Sequence, residues 1–165
     1  MQRFVLGVAL GVALGSTGCF LSPIPDLRTP VDHARELDVR CRSFSDTASA
    51  PALTPAGVDT VEADYAHVPT GNTSERRLQG AKLHLRPLAG ATAQSLQRAV
   101  ECHERAAVLG AAPSVPDDPF VLPGRWLDLD VGTEADGFVV VARADNLGDA
   151  KQVLARARHY VGLSK

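Results

Sequence analysis

Apolar and polar residues alternate in two stretches of the middle of the chain, and this alternation predicts a β-hairpin. In residues 58–68, apolar side chains fall on one face and acidic side chains on the other. In residues 81–86, apolar residues alternate with three basic ones. A polar turn at Pro69–Arg77 is expected to join the two strands, with their opposite charges facing each other across the pair.

A second hairpin follows nearer the C-terminus. Leu127, Leu129 and Val131 alternate with polar residues, which is the pattern of a strand with one buried face. Asp136-Gly137 favours a tight hairpin turn, and Phe138–Ala142 supplies the return strand. The two hairpins together predict four strands.

Three further segments carry apolar residues at helical spacing and begin at a residue that can cap a helix. In the first of them a proline follows the capping threonine, a position that suits the start of a helix. The expected caps are Thr29, Thr92, and Asn146 or Asp145, and the expected helices cover residues 30–42, 92–109 and 146–160.

Residues 1–18 form a separate unit with the layout of an export signal. Arg3 supplies a basic start, and Phe4–Leu14 is an apolar run that is too short for a membrane-spanning helix, which needs about 20 residues. Small residues then precede Cys19. The pattern predicts that residues 1–18 are removed during export and that the mature chain begins at Cys19.

The stretch Ser16-Thr17-Gly18-Cys19 resembles the lipobox of bacterial lipoproteins, in which a cysteine after small residues becomes the lipidated first residue. The resemblance implies a lipid anchor on Cys19. With Phe20 next, it also implies the outer membrane of a Gram-negative cell, facing the periplasm. Ser16 and Gly18 satisfy the rule for ordinary secretory cleavage at the same bond, so that alternative differs only in the lipid. The mature part resembles small bacterial lipoproteins of unknown activity.

The order strand–strand–helix occurs twice and predicts an α+β fold. We expect a four-stranded, mainly antiparallel sheet in ββα-ββα order with two helices on one face. A signal peptide and a short N-terminal helix precede it. The predicted boundaries are 1–18 for the signal peptide, 19–57 for the lipidated N-terminus, tether, short helix and linker, and 58–163 for a single α+β domain.

Charge excludes one class of partner. The chain has 17 Lys and Arg against 19 Asp and Glu, a net charge of −2 at pH 7. Because no basic block is present, we expect no nucleic-acid partner.

With Cys19 lipidated, Cys41 and Cys102 remain in a compartment that permits disulfides. A bridge between them would close a loop of roughly 60 residues and stabilise the fold by up to roughly 4 kcal/mol. The alternative is two buried or free thiols, because the geometry that a disulfide needs depends on the fold.

Motifs for phosphate binding, serine hydrolysis, zinc proteolysis and covalent haem are absent from the sequence. We therefore predict a protein that is not an enzyme and has no cofactor. Cys102-His103 invites one chemical hypothesis, in which His84 and His159 complete a copper or zinc site. Neighbouring helical residues point about 100° apart, which favours a core-edge histidine beside a buried or bridged cysteine instead.

The sheet face away from the helices should combine valine and charged side chains, a composition that suits docking of a partner. Alternatively, residues 20–57 fold back and cover it. The sequence thus predicts a lipid-anchored cell-envelope protein with a non-enzymatic binding domain, or else a metal-handling lipoprotein. Its expected partners are the membrane, through Cys19, and another envelope protein. The candidate interaction residues are Lys82, His84, Arg86, Trp126 and Arg143.

Overall fold

The computed structural model describes residues 28–44, 50–111 and 115–162. The predicted signal peptide, the lipidation site at Cys19 and the tether up to residue 27 lie outside these ranges. None of the described helices has the length and apolar character needed to cross a membrane.

The chain forms an α+β fold around a four-stranded antiparallel sheet, which confirms that part of the prediction. The elements are α1 (Pro30–Arg42), β1 (Val58–Thr70), β2 (Thr73–Leu85), α2 (Ala93–Val108), β3 (Asp128–Glu134), β4 (Gly137–Arg143) and α3 (Leu147–Gly162). The strands lie in the order β1-β2-β4-β3, so β2 and β4 join the two hairpins. Two short 3₁₀ turns, Ala50–Leu53 and Pro55–Gly57, lead into β1.

Helix α1 begins and ends where the sequence predicts. The Thr29 hydroxyl accepts a hydrogen bond from the Asp32 backbone N–H at 3.2 Å, and the Thr29 N–H donates to the Asp32 carboxylate at 2.9 Å. Pro30 occupies the first turn, where its missing N–H leaves no hydrogen bond unmade. Because these signals are local in sequence, they fix the start of the helix without help from the rest of the fold.

The other two helices have the predicted caps as well. The Thr92 hydroxyl accepts a hydrogen bond from the Ser95 N–H at 3.0 Å at the start of α2. At the start of α3, the Asn146 side-chain oxygen accepts one from the Asp149 N–H at 2.9 Å. Each bond satisfies a helix-end donor that would otherwise lack a partner.

One hydrophobic core lies between the sheet and the helices. On the sheet side, Ala81, Leu83 and Leu85 of β2 are buried and alternate with partly exposed residues, as predicted, whereas Val140, Val141 and Ala142 of β4 are all buried. Both α2 and α3 bury apolar side chains in the same cluster. The main contributors are Ala81, Leu83 and Leu85 from β2, Val140 and Ala142 from β4, Leu96 and Val100 from α2, and Val153, Ala157 and Tyr160 from α3.

The first hairpin turn is much tighter than the predicted Pro69–Arg77. Only Gly71-Asn72 lies between β1 and β2, and Gly71 adopts a positive φ of 60°. Strand β4 pairs with β2 only from Gly80 to Leu85, so the outer half of the hairpin pairs with itself and is exposed on both faces. A strand that is exposed to solvent on both faces does not alternate apolar and polar residues. The sequence pattern therefore predicted a loop for the outer half of this hairpin.

Candidate functional site

The outer sheet face is the surface that points away from the core. We define it by Lys82 and His84 of β2 and Val139, Val141 and Arg143 of β4; Val141 is buried, at 8% exposed, and the other four are partly exposed. In the register of the sheet, Lys82 lies opposite Val141 and His84 opposite Val139. The structure therefore brings together three of the predicted interaction residues.

Ion pairs organise one end of the outer sheet face. Asp64 of β1 is only 5% exposed, and Arg143 Nε donates to its Oδ2 at 2.9 Å. Lys82 Nζ lies 3.5 Å from Asp64 Oδ1, and Arg143 Nη1 lies 3.6 Å from an oxygen of Asp128. The buried carboxylate is thus compensated by two cations, both of which retain contact with solvent.

The other end of the outer sheet face centres on His84. Its Nδ1 lies 2.7 Å from a carboxylate oxygen of Glu134, and its Nε2 lies 3.9 Å from one of Glu62. The Nε2 atom is buried and has no hydrogen-bond partner among the residues described. Arg86 follows β2 and lies near Asp59, at 3.7 Å, with 62% of its side chain exposed.

The linker segment 20–57 was a possible cover for this face. Of its described parts, α1 packs on α2, and the two 3₁₀ turns contact α2 and α3. These elements therefore lie against the helical layer, and the margin of the outer sheet face remains open to solvent in the described structure.

Trp126 does not join the outer sheet face. It precedes β3 by two residues, and its ring stacks on His33 of α1 with centroids 5.2 Å apart and planes 11° from parallel. The alternation of Trp126 with Asp128 predicted a strand position. The strand begins only at Asp128, and α1 supplies an aromatic partner that a local pattern does not reveal.

The four residues of the metal alternative do not form a ligand set. The sulfur of Cys102 is bonded to Cys41, which removes the thiolate that a copper or zinc site would use. Within residues 28–44, 50–111 and 115–162, no group of three or more His, Cys, Asp or Glu could hold a metal ion. Each histidine instead faces its own carboxylate: His84 Nδ1 with Glu134 at 2.7 Å, His103 Nε2 with Asp118 at 2.5 Å, and His159 Nδ1 with Asp117 at 2.6 Å.

A disulfide ties α1 to α2. The sulfur atoms of Cys41 and Cys102 are 2.06 Å apart and their Cα atoms 5.4 Å apart, so the bridge proposed from the sequence is present. Asp38 of α1 adds ion pairs with Arg42 and with Arg105 of α2. Helix α1 is therefore held beside α2 by covalent and ionic links together.

A cleft of about 580 Å³ lies between α1 and the segment that leads into β3. The spacing of apolar residues does not predict the cleft, because its walls come from parts of the chain that are distant in sequence. One signal was available: Glu104 falls four residues after Val100 and eight after Leu96, within the apolar stripe of α2. The cleft is lined by His33 and Leu37 of α1, Glu101 and Glu104 of α2, and Trp126 and Asp128.

Glu104 is the most perturbed acid in the cleft. It is 1% exposed, and its Oε1 accepts a hydrogen bond from the Leu127 backbone N–H at 2.7 Å. Burial raises the pKa of its carboxyl to about 8, against the lowering effect of that hydrogen bond, and the nearby carboxylates of Asp118 and Glu101 raise it further. Near neutral pH the side chain is therefore mostly protonated.

Comparisons with protein-family models, with curated proteins and with solved structures find no match to this chain. The contacts and charges of the described residues are therefore the basis on which a function is proposed.

Proposed function

We propose that the chain is a lipid-anchored cell-envelope protein whose ββα-ββα domain, residues 58–163, docks another envelope protein and catalyses no reaction. The anchor is the lipid on Cys19, in the outer membrane facing the periplasm. The likeness of Ser16–Cys19 to a lipobox supports export and anchoring. The Cys41–Cys102 bridge is compatible with the oxidising compartment that this location implies.

The open, amphipathic outer sheet face is the observation that carries the docking role. Val139 is partly exposed between charged neighbours, while Arg86 and Glu62 at the margin have side chains that are 62% and 68% exposed. An apolar centre with a charged rim is the usual composition of a reversible protein interface. Exposed rim charges affect association rate and partner choice more than they affect the stability of the domain.

The partner that fits is a folded protein with acidic groups placed to meet the basic strip of Lys82 and Arg86. Lys82 shares Asp64 with Arg143, and Arg86 lies 3.7 Å from the exposed Asp59. Both cations thus retain solvent-exposed surface for contacts across an interface. Reversing them should repel such a partner, while Arg143 remains beside Asp64 to compensate the buried carboxylate.

The test is capture from envelope membranes by the full-length protein, expressed with its own N-terminus in a Gram-negative host. Cross-linked partners of the wild type are compared with those of Lys82→Glu combined with Arg86→Glu. A matched control is Arg76→Glu combined with Arg77→Glu, on the outer half of the first hairpin, where both residues are exposed. We expect the first pair to lose a specific partner that the control retains, with unchanged circular dichroism. Equal capture by both would eliminate the outer sheet face as the docking site.

A further inference from the structure

One ring nitrogen of His84 is buried and has no partner. Its Nε2 atom makes no hydrogen bond with any residue that the structure describes. Its Nδ1 atom lies 2.7 Å from a carboxylate oxygen of Glu134. Because a carboxylate accepts hydrogen bonds and cannot donate them, the proton of the neutral ring lies on Nδ1, and Nε2 is left as an unpaired acceptor. A buried polar atom without a partner is costly, so a change that gives Nε2 a partner is favoured.

Glu62 of β1 is the group placed to become that partner. One of its carboxylate oxygens lies 3.9 Å from Nε2 of His84, which is beyond hydrogen-bond distance. While Nε2 carries no proton, both atoms are acceptors and no hydrogen bond draws them together. Protonation of the ring turns Nε2 into a charged donor. A shift of about 1 Å by the Glu62 side chain, which is 68% exposed, then completes a charge-assisted hydrogen bond.

Glu62 also lies beside the basic strip of the proposed interface. In the register of the sheet, it is directly opposite Lys82 on the neighbouring strand. An exposed carboxylate at this position repels an acidic partner that approaches Lys82 and Arg86. When Glu62 pairs with the protonated ring, its charge is compensated, and the two cations have more influence on the partner. Protonation of one ring thus changes the charge of the docking surface without a change of fold.

The other charged groups around the ring are carboxylates, lysine and arginine. Such groups ordinarily keep their charge between pH 5 and pH 8, the range in which an imidazole changes its own. Asp64 of β1 faces both Arg143 and Lys82. Asp59 lies 3.7 Å from Arg86. The imidazole is therefore the group through which mild acid changes the charge of this surface. The acids that β3 contributes to the same face are Asp128, Asp130 and Glu134.

We propose that His84 is a proton-controlled switch of the outer sheet face, which strengthens docking of an acidic partner as the pH falls from 8 to 5. A proton from solvent adds to Nε2, which then donates to Glu62 and compensates the charge of that carboxylate. Loss of the same proton to solvent releases Glu62 again. The switch rests on the proposed function, because the interface that it controls is the docking surface described there.

The test is capture from envelope membranes by the full-length protein at pH 5 and at pH 8, the two ends of the imidazole range. The partner that is followed is the one whose cross-linking depends on Lys82 and Arg86. We expect the wild type to capture roughly 5-fold more of it at the lower pH. Equal capture at both pH values would overturn the switch and leave docking intact. Capture of no such partner at either pH would overturn docking and the switch together.

Two variants separate the switch from other effects of pH on capture. Glu62→Gln removes the repelling charge, so capture should be high at both pH values. His84→Gln removes the group that takes up the proton, so capture should stay low at both. His67→Gln, which changes an exposed histidine of the same hairpin, is the matched control and should behave as the wild type. If capture by His84→Gln still rose at the lower pH, the dependence would arise elsewhere and the proposal would fail.

NMR of the nitrogen-15-labelled imidazole checks the pairing with Glu62 without any partner. The His84 signals are identified by their loss in His84→Gln, and the full-length protein is titrated in detergent. We expect the ring of Glu62→Gln to take up its proton at a lower pH than the ring of the wild type, because a carboxylate that stabilises the charged ring is gone. Identical titration midpoints in the two proteins would show that Glu62 does not pair with the ring, and would overturn the switch.

Discussion

The outer sheet face and the cleft both hold a buried carboxylate, and the two carboxylates have opposite surroundings. Asp64 is 5% exposed and lies within reach of Arg143 and Lys82. Glu104 is 1% exposed, with a backbone N–H as its donor and other acids nearby. A carboxylate that nearby cations compensate keeps its charge and supports the structure, whereas a buried carboxyl without a compensating cation is mostly protonated near neutral pH.

The two regions also differ in how they are held in place. The outer sheet face rests on hydrogen-bonded strands and on the core beneath them. The cleft depends on α1, which the Cys41–Cys102 bridge and Asp38 hold against α2. Perturbing the attachment of α1 should therefore change the cleft and leave the outer sheet face unchanged.

The largest effect is expected from replacing Cys41 and Cys102 together by serine. Loss of a bridge with a sequence separation of 61 should lower the free energy of unfolding by up to roughly 4 kcal/mol. Capture through the outer sheet face should persist, because that face rests on the hydrogen-bonded strands and not on α1. Chemical denaturation measures the free energy of unfolding, and cross-linked capture from envelope membranes measures the docking role.

A reductant should lower the free energy of unfolding of the wild type by the same amount and should have no effect on the double serine variant. If the serine variant were as stable as the wild type, or lost capture through the outer sheet face, the contrast between the two regions would fail.

The next effect concerns Glu104 and pH. Its pKa is raised from 4.5 in the unfolded chain to about 8 in the folded protein, so folding requires proton uptake between these two values. The free energy of unfolding should therefore fall as the pH rises from 4.5 to 8 and level off above that range. Glu104→Gln should remove this dependence and be more stable than the wild type near pH 7 by roughly 3 kcal/mol, because pH 7 lies about 2.5 units above the unfolded-state pKa and each unit corresponds to about 1.4 kcal/mol.

Urea denaturation across this pH range measures the dependence, with Glu75→Gln as the exposed control. Parallel pH curves for the wild type and Glu104→Gln would mean that the Glu104 carboxyl is not destabilised by its surroundings.

Much of the fold was predictable from signals between residues close in sequence. The predictions that were wrong concern contacts between parts of the chain that are distant in sequence. Thr29 with Asp32, and Thr92 with Ser95, are separated by only three residues, so the sequence itself contains both partners. The α+β class was predictable for the same reason, because the alternation of apolar and polar residues within a strand is also local in sequence. The stack of Trp126 on a helix that lies far away in sequence could not be read from its neighbours.

The same distinction between local and distant contacts applies to the outer sheet face and the cleft. The sheet face was predictable because strand alternation assigns Lys82 and Arg143 to one side. The cleft was not, because it exists only once α1 is placed beside α2 and the segment before β3. A carboxylate at position 104, on the apolar stripe of α2, was the one sign that the sequence contained.

The smallest effect, opposite in sign to that of Glu104→Gln, is expected from Asp64→Asn on the outer sheet face. This change removes the charge that Arg143 and Lys82 share and leaves two cations facing a neutral amide. Loss of one partner from a fully buried pair is strongly destabilising, but these two cations have side chains 32% and 42% exposed and can be hydrated. We therefore expect a loss of roughly 1–2 kcal/mol at neutral pH, where Glu104→Gln causes a gain. Replacing Arg143 by Met in the Asp64→Asn background should add little further loss, because the pair is already broken. If Asp64→Asn instead stabilised the protein, the charges of the outer sheet face would be no better compensated than those of the cleft.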